Sequence, residues 1–384
     1  MTSTIVAIRG PARPLPKGDA RGRVNLRGMS RDELGAWLQR ELEMKRFRGD
    51  QVFAWLHARR VADVEAMTDV SARDRARIDA LGSLERLSVD AIARAADGTR
   101  KLKLRTADGQ AIESVLIPND DRGLTLCVSS QAGCCLTCAF CATASLGFRR
   151  NLATWEIVDQ VYQAQDLLEQ EASAEGEEWP RRVTNLVFMG MGEPLANYNQ
   201  VRRAVEILTH DRGAAIAGRR ITISSAGLVP AIERFGREGL GHEVGLAISL
   251  NATTDEVRDR IMPINTRWKI AELLAAVDRV PLKRRRRVTF EYVLLADVND
   301  SDDDVRRLAQ LVGRMRCQIN VIPFNPHPHA PFRRPSQRRI DRFMALCRER
   351  GLRTFIRTPR GDDIAAACGQ LALEGPTADA GRPS

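Results

Sequence analysis

The amino-acid sequence predicts an α/β protein built on an incomplete (β/α)6 barrel of the TIM type, with a small helical N-terminal domain and a β extension. Two patterns support this fold class. After residue 121, six apolar runs of strand length alternate with six amphipathic segments of helical length. Before it, a helical periodicity gives way to a two-residue alternation of apolar and polar side chains. Strands that alternate with helices favour a parallel sheet with right-handed crossovers.

The N-terminal quarter of the chain reads as two segments. Residues 1–27, rich in Arg, Gly and Pro, are expected to form a flexible lead. Residues 28–85 are predicted to form a helical accessory domain, in which Ser30 and Glu33 have the spacing of a capping box. The apolar side chains of its first helix repeat on one face, at Leu34, Trp37, Leu38 and Leu42. This pattern suits an RNA-docking module and, about equally, a cap that only packs on the catalytic domain.

The rest of the chain divides into a β section, the barrel and a C-terminal segment. Residues 86–120 alternate in the manner of a small antiparallel β section, and residues 121–358 carry the barrel pattern. The six predicted barrel strands are Leu124–Ser129, Asn185–Met189, Arg220–Ser225, Val244–Leu250, Val288–Leu295 and Gln318–Pro323. Residues 359–384 are predicted to end in a disordered tail from about Leu373, which is rich in Gly, Pro, Ala and Asp.

The composition indicates the type of binding partner and the cellular compartment. Lys and Arg total 59 against 49 Asp and Glu, which gives a net charge of +10 and a pI near 9.6. Such an excess favours a polyanionic partner such as RNA. The N-terminus lacks a continuous apolar core typical of signal peptides, and no run approaches the roughly 18 apolar residues of a membrane span. Eight clustered cysteines in a long chain fit a reducing compartment. We therefore expect a monomer in the cytoplasm.

The densest cysteine cluster follows the first predicted barrel strand directly. Cys134, Cys138 and Cys141 read CxxxCxxC. Three thiolates from one short loop suit a four-iron cube, because each can hold one iron while the fourth iron stays open. The alternative is a structural zinc knuckle, which needs four ligands, usually as two separated pairs. The spacing resembles the signature of radical S-adenosylmethionine (SAM) enzymes, in which SAM chelates the open iron.

Polar and glycine residues follow several other predicted strands. The second strand leads into Gly190-Met-Gly-Glu-Pro194, whose glycines would let a ligand approach the backbone and whose Glu193 could accept from an ammonium. Singly, such residues are more often turn or cap residues than ligand contacts. Because the carboxyl ends of parallel strands meet on one rim, their repetition predicts a shared site. The other candidates on this rim are Ser224, Ser249, Leu250, Asn251 and Asn325.

Four cysteines lie outside the cluster, and two of them are of interest. Cys127 lies in the first predicted barrel strand, and Cys368 lies near the C-terminus between Gly361 and Gly369. A lone cysteine is usually a small buried hydrophobe. The segment around Cys368 has no apolar helical periodicity to explain it, and this makes Cys368 a functional candidate.

Four motifs together resemble one family. They are the segments Cys127–Cys134, Phe140–Thr143, Gly190–Pro194 and Arg360–Leu371, which occur in the order found in the RlmN family. Members of that family are radical SAM methyltransferases that methylate C2 of adenine 2503 in 23S rRNA and of adenine 37 in certain tRNAs. The resemblance extends from the helical N-terminal unit to about Leu371.

The resemblance implies roles for individual residues. Cys134, Cys138 and Cys141 would bind a [4Fe-4S] cluster. Cys368 would carry the methyl group, Cys127 would be its redox partner, and Glu113 would accept a proton. The residues that would line the SAM site are Gly192, Glu193, Ser224, Ser249, Leu250, Asn251 and Asn325. At position 251 some family members carry His instead of Asn, and both can hydrogen-bond a ribose.

The implied chemistry consumes two SAM molecules for each methylation. Cys368 takes a methyl from the first, and a radical generated from the second activates that methyl for addition to C2. A disulfide between Cys127 and Cys368 then releases the product, and an external electron donor and a thiol reductant are required. Two alternatives remain open: a Cfr-like methyltransferase acting on C8 of the same rRNA adenine, and a non-catalytic zinc or RNA-binding protein.

Overall fold

The computed structural model describes residues 19, 21–119, 123–176 and 181–373. The first part of the predicted lead and the predicted tail after Leu373 lie outside these residues. The end of the lead is structured: strand β1 (Val24–Asn25) pairs in parallel with β2 (Gly82–Ser83). Leu26 and Arg27 just after β1 are fully buried.

Three helices form the N-terminal unit: α1 (Arg31–Leu42), α2 (Arg48–His57) and α3 (Ala72–Leu81). The capping box at the start of α1 is confirmed, because the Ser30 side chain accepts from the Glu33 N–H and the Glu33 carboxylate accepts from the Ser30 N–H. Leu34, Trp37, Leu38 and Leu42 are all buried, as their spacing predicts.

A ten-stranded mixed sheet forms the rest of the framework. Its antiparallel part consists of β3 (Ser88–Arg94), β4 (Arg100–Arg105) and β5 (Ala111–Pro118), and β5 pairs antiparallel with β6 (Leu124–Cys127). From β6 onward every pairing is parallel, in the order β6, β9 (Val183–Phe188), β10 (Ile221–Ser225), β11 (Gly245–Ser249), β12 (Val288–Leu294), β13 (Cys317–Pro323) and β14 (Thr354–Ile356). The predicted β section and parallel core are thus confirmed.

Helices connect the parallel strands. The long connecting helices are α5 (Thr154–Glu175), α6 (Tyr198–Thr209), α7 (Val229–Arg237), α10 (Ile270–Asp278), α11 (Asp302–Val312) and α12 (Gln337–Glu349). Shorter helices are α4 (Ala142–Ser145), α8 (Leu240–Glu243) and α9 (Asp255–Ile261). These six long helices agree with the six amphipathic segments that the sequence places between the predicted strands. The two edges of the sheet, β14 and β3, do not pair with each other, so the barrel is open.

The structure adds several elements that the sequence pattern does not predict, and two of them concern the site. One is β14, a seventh parallel strand of three residues, which is too short for alternation to reveal. The other is a small hairpin of β7 (Gln131–Gly133) and β8 (Phe148–Asn151), which encloses the cysteine loop. Gly133 allows this pairing, because its φ is +73° and a Cβ there would lie 1.8 Å from the Gly147 carbonyl oxygen.

The N-terminal unit is packed against α5 through polar contacts. His57 Nδ1 lies 2.8 Å from the Tyr162 hydroxyl, and burial lowers the pKa of His57 to about 3, so its ring is neutral. Arg60 and Arg86 both pair with Asp166. These interactions join the helical unit to the barrel. Within the described residues, no helix is long and apolar enough to cross a membrane.

Candidate active site

A cavity of about 420 Å³ opens at the carboxyl ends of the parallel strands. Cys127 at the end of β6, Met189 after β9, Asn325 after β13 and Arg357 after β14 all line it. Cys368 from the C-terminal segment completes the wall. The structure therefore brings Cys127 and Cys368, which are 241 positions apart in the sequence, into one pocket.

Both pocket cysteines are poor acids in their present surroundings. Burial raises the pKa of Cys127 to about 12, while the positive charge of Arg357 acts in the opposite direction. Surrounding protein also raises the pKa of Cys368, and Arg357 again opposes this shift. Cys368 is nevertheless exposed to solvent, because its side chain lines the open cavity. A small electrophile in the pocket could therefore reach its sulfur.

Hydrogen bonds hold the segment around Cys368 against the rest of the rim. The Gly369 carbonyl accepts from the Ala142 N–H at 2.8 Å, and the Leu371 carbonyl accepts from the Thr143 hydroxyl at 2.7 Å. Both donors belong to α4, which begins directly after Cys141. The Cys368 segment is thus docked on the end of the cysteine loop.

The cysteine loop itself is held at both ends and in the middle. The Cys134 N–H donates to the Gly147 carbonyl at 3.0 Å, and the Ala139 N–H donates to the Ile261 carbonyl at 2.9 Å. His327 Nε2 lies 3.1 Å from the Phe140 carbonyl oxygen. Contacts with backbone atoms therefore fix the loop. Among its sulfur atoms, Cys134 Sγ accepts from the Leu136 N–H at 3.4 Å and Cys135 Sγ accepts from Gln131 Nε2 at 3.6 Å.

The three predicted cluster ligands fit an iron–sulfur cube by their chemistry. Cys134, Cys138 and Cys141 are free and half-buried. Burial raises the pKa of Cys138 and of Cys141, and a bound cation is the group that would lower these pKa values. Among the described residues, no three His, Cys, Asp or Glu side chains converge to hold one metal ion. A cube does not require such convergence, because each thiolate binds a separate iron corner.

The glycines of the Gly190–Pro194 motif are required by packing. At Gly192, φ is +103° and a Cβ would lie 2.6 Å from the Cβ of Gln131. At Gly190 a Cβ would lie 2.7 Å from the Val128 carbonyl oxygen. The motif is therefore pressed against the residues that lead into the cysteine loop. This contact explains the glycines without a ligand, and it brings Glu193 close to the loop.

Glu193 is buried among backbone donors. Its Oε1 accepts from the Leu195 N–H at 2.9 Å and its Oε2 accepts from the Ala226 N–H at 2.7 Å. Burial nevertheless raises the pKa of Glu193 to about 7, and the two backbone hydrogen bonds oppose this shift. A cation placed beside the carboxylate would favour its ionised form.

The remaining predicted SAM-site residues lie at the strand ends but do not line the cavity described above. Ser224 is in β10, Ser249 ends β11, and Leu250 and Asn251 follow it. Asn251 is buried with φ at +56°, and its Oδ1 accepts from the Val293 N–H at 2.8 Å. Its side chain therefore braces β12 in this structure, so a ribose contact would require this amide to change partner.

Glu113, the predicted proton acceptor, also lies outside the cavity lining. It is fully buried in β5, where its carboxylate pairs with Lys101 at 3.3 Å and accepts from the Leu373 N–H at 3.2 Å. Lys101 Nζ in turn donates to the Ala365 carbonyl. These contacts hold the two ends of the segment that carries Cys368.

Two arginines near the site were not predicted from the sequence. Arg258 is fully buried and donates to the backbone carbonyls of Ala226, Ser249 and Leu250. Arg357 lines the cavity with both cysteines. Neither belongs to one of the motifs, and arginines are too frequent in this chain for composition to single them out.

The expected disulfide is absent. All eight cysteines lie within the described residues and each is a free thiol. Cys127 and Cys368 share a pocket in the reduced form, so a bond between them is not a feature of this structure.

Comparisons with known proteins agree with this geometry. The sequence model of the radical SAM superfamily matches residues 128–311, and that of the ribosomal RNA large subunit methyltransferase N-terminal domain matches residues 24–83. The dual-specificity RNA methyltransferase RlmN of Anaeromyxobacter dehalogenans is 46% identical over 92% of this chain and 93% of its own length. That of Geobacter sulfurreducens is 47% identical over 91% and 92%.

A solved structure supports the same assignment. The crystal structure of a radical SAM methyltransferase from Sphaerobacter thermophilus superposes with a TM-score of 0.82, at 42% identity, and covers 90% of this chain and 98% of its own. The chain belongs to the RlmN family of radical SAM RNA methyltransferases.

Proposed function

We propose that this enzyme methylates C2 of adenine 2503 in 23S rRNA and of adenine 37 in tRNA, with Cys368 as the carrier of the methyl group. The observation that carries this proposal is the shared cavity of Cys127 and Cys368 at the carboxyl ends of the strands. C2 of adenine is an electron-poor carbon, so it cannot attack the SAM methyl group directly, whereas a thiolate can.

The cluster and SAM would be held on the same rim. Cys134, Cys138 and Cys141 are the candidate cluster ligands, and Glu193 is the candidate acceptor for the SAM ammonium. Asn325 has a buried Oδ1 without a partner among the described residues, and it can accept from a bound group. When bound, the cluster would supply the electron that converts SAM into the radical source for the second half of the reaction.

Cys368 performs the first transfer. Its sulfur attacks the SAM methyl group, so an S–CH3 bond forms as the methyl–sulfonium bond breaks. The hydrogen bonds of Gly369 and Leu371 to α4 keep this sulfur beside the cysteine loop. The methylated side chain is therefore positioned where the radical chemistry occurs.

Cys127 performs the release. Once the carbon is bonded to C2, the radical adduct would lose one electron to the external electron-transfer partner and its C2 proton to a base. The Cys127 thiolate then attacks the sulfur of Cys368. An S–S bond forms, the S–C bond breaks, and its electron pair remains with the carbon, which takes a proton to become the methyl group. An external thiol then reduces the disulfide. Cys127 lines the cavity and Glu113 does not, which makes Cys127 the better placed of the two to take the C2 proton.

Both RNA substrates must present an unstacked adenine to a cavity of this depth. The excess of basic residues suits binding to their phosphates. Since these RNAs are made and used in the cytoplasm, we place the enzyme there.

Trapping the bonded intermediate tests the proposal. Cys127→Ala removes the attacking sulfur, so turnover with SAM and a reductant should leave a covalent protein–RNA adduct visible on a denaturing gel. Cys347→Ala, a change at a buried cysteine in α12, is the matched control and should give free methylated RNA. Absence of an adduct with Cys127→Ala would contradict the release step. Mass spectrometry of digested RNA then separates methylation at C2 from methylation at C8.

A further inference from the structure

Arg357 is a cationic side chain in the cavity that contains Cys127 and Cys368. The proposed reaction assigns it no role. It follows β14, and its N–H donates to the Val321 carbonyl at 2.9 Å, so its backbone is anchored to the central sheet. Its side chain lines the same cavity as Cys127 and Cys368. The barrel therefore fixes the backbone from which this side chain enters the cavity.

The guanidinium has few partners of its own. Its Nη1 lies 3.4 Å from the Met189 sulfur, a weak acceptor, and within the described part of the chain it forms no ion pair with a carboxylate. Glu291 in β12 is the carboxylate that acts on it electrostatically. Glu291 Oε1 accepts from Asn320 at 3.0 Å, while its Oε2 is buried and has no hydrogen-bond partner among the residues that the structure describes.

Arg357 is half-buried and has no paired carboxylate among the described residues, so its charge is available to the groups that share the cavity. In this pocket the groups that interact with Arg357 are Glu291 and the sulfur atoms of Cys127 and Cys368. The same charge acts on both sulfur atoms against the effect of burial. The other charged groups that influence the pKa of Cys368 are Glu291 and Cys141. Both raise it, because their negative charges disfavour the thiolate.

We propose that Arg357 supplies the positive charge that stabilises the thiolates of Cys127 and Cys368 in the pocket. This inference rests on the proposed function, because it assigns Arg357 to the two sulfur atoms that attack in it. Arg357 is a positioning and charge-supplying residue: it holds a sulfur in the attacking form and forms no bond to the RNA.

The charge can be measured without catalysis. In protein carrying Cys368→Ala, Cys127 is the remaining cavity cysteine, and its alkylation can be followed by peptide mass spectrometry with neutral iodoacetamide and with anionic iodoacetate. Arg357→Met keeps an unbranched, flexible side chain, although a shorter one, and removes its charge. A rise of one unit in the pKa of Cys127 would slow iodoacetamide about tenfold at neutral pH. Alkylation by iodoacetate should slow even more, because the anionic reagent also loses its electrostatic attraction to the arginine.

The ratio of the iodoacetate rate to the iodoacetamide rate distinguishes an effect of the charge of Arg357 from an effect of its packing. Arg357→Lys should keep the ratio of iodoacetate to iodoacetamide near that of the parent protein, and Arg357→Met should lower it severalfold. Arg357→Gln is a second neutral variant in case Met disturbs the fold, which the melting temperature would report. Arg353→Met, at an exposed arginine just before β14, is the matched control and should leave the ratio unchanged.

An unchanged ratio in the folded neutral variants would overturn the proposal, because a purely structural role alters access for both reagents equally. The measurement uses neither RNA nor SAM. Its failure is therefore distinct from failure of the proposed function, which the covalent adduct tests.

Discussion

The Asn325 side chain donates from Nδ2 to the Cys368 carbonyl oxygen at 3.2 Å. Asn325 follows β13 of the barrel, and Cys368 belongs to the C-terminal segment. Gln370 repeats the connection by donating to the Pro326 carbonyl at 3.2 Å. The loop after one barrel strand thus holds the segment that carries the reactive sulfur.

We expect Asn325→Ala to loosen this segment. A neutral hydrogen bond contributes about 1 kcal/mol, so the open form should become about fivefold more populated. Amide hydrogen exchange at residues 365–371 would show faster exchange, and methylation of Cys368 by SAM should slow. Gln318→Ala, on the same strand but bonded to Thr289, should leave exchange in that segment unaltered. Equal exchange in both variants would refute the docking role.

Gly192→Ala should disrupt the site through backbone and contact strain together. Its φ of +103° disfavours any L side chain, and the new Cβ would meet Gln131. Gly239→Ala is the control, since φ is +76° there but nothing lies within 4 Å of the Cβ position. Chemical denaturation should show a loss of about 1 kcal/mol for Gly239→Ala and a larger loss for Gly192→Ala. Equal losses would mean that the contact with Gln131 relaxes freely.

Glu193 should make stability depend on pH. Its folded pKa of about 7 is above the ordinary value of 4.5, so the folded protein binds the extra proton between these values. This contribution to stability is present below pH 4.5 and is lost as pH rises through 7, by about 3 kcal/mol in total. Denaturation of the cluster-free protein at pH 5 and pH 8 should show this decline. Glu193→Gln should abolish it, and the same decline in that variant would exclude Glu193 as its source.

The turn between α1 and α2 is a candidate RNA contact. Lys45, Arg46 and Phe47 are all exposed there, a combination of basic and aromatic side chains that suits an RNA strand. Lys45→Glu with Arg46→Glu should weaken RNA binding and reduce its dependence on salt, which filter binding at several salt concentrations would measure.

The matched control for this double substitution lies at the other end of the barrel. Arg284 and Arg285 precede β12, so they are at the amino ends of the strands, away from the cavity. Arg284→Glu with Arg285→Glu changes the charge equally and should affect RNA binding less. If Arg284→Glu with Arg285→Glu weakened RNA binding more than Lys45→Glu with Arg46→Glu did, the RNA-binding surface would lie at the amino ends of the strands instead. These point substitutions are preferable to deleting residues 1–85, because that deletion would uncover Tyr162 and its neighbours on α5.

Much of the fold could be predicted because the responsible signals are local. The strand at Val288–Leu294 and the helix at Gln337–Glu349 follow from apolar periodicity, and the start of α1 follows from the Ser30 and Glu33 spacing. Strand β14 was missed, since three residues pair only because β13 is already in place.

The sequence by itself determined the chemistry of this protein. Three cysteines with CxxxCxxC spacing, together with Cys127 and Cys368 outside their loop, restrict the reactions that the chain can perform, because thiol chemistry depends on residue type and spacing. Only the tertiary structure decided which groups meet. It put Cys127, Cys368 and Arg357 into one cavity and tied Glu113 to Lys101. These contacts join residues that are distant in sequence, and they arise when the sheet is assembled and the C-terminal segment docks on it.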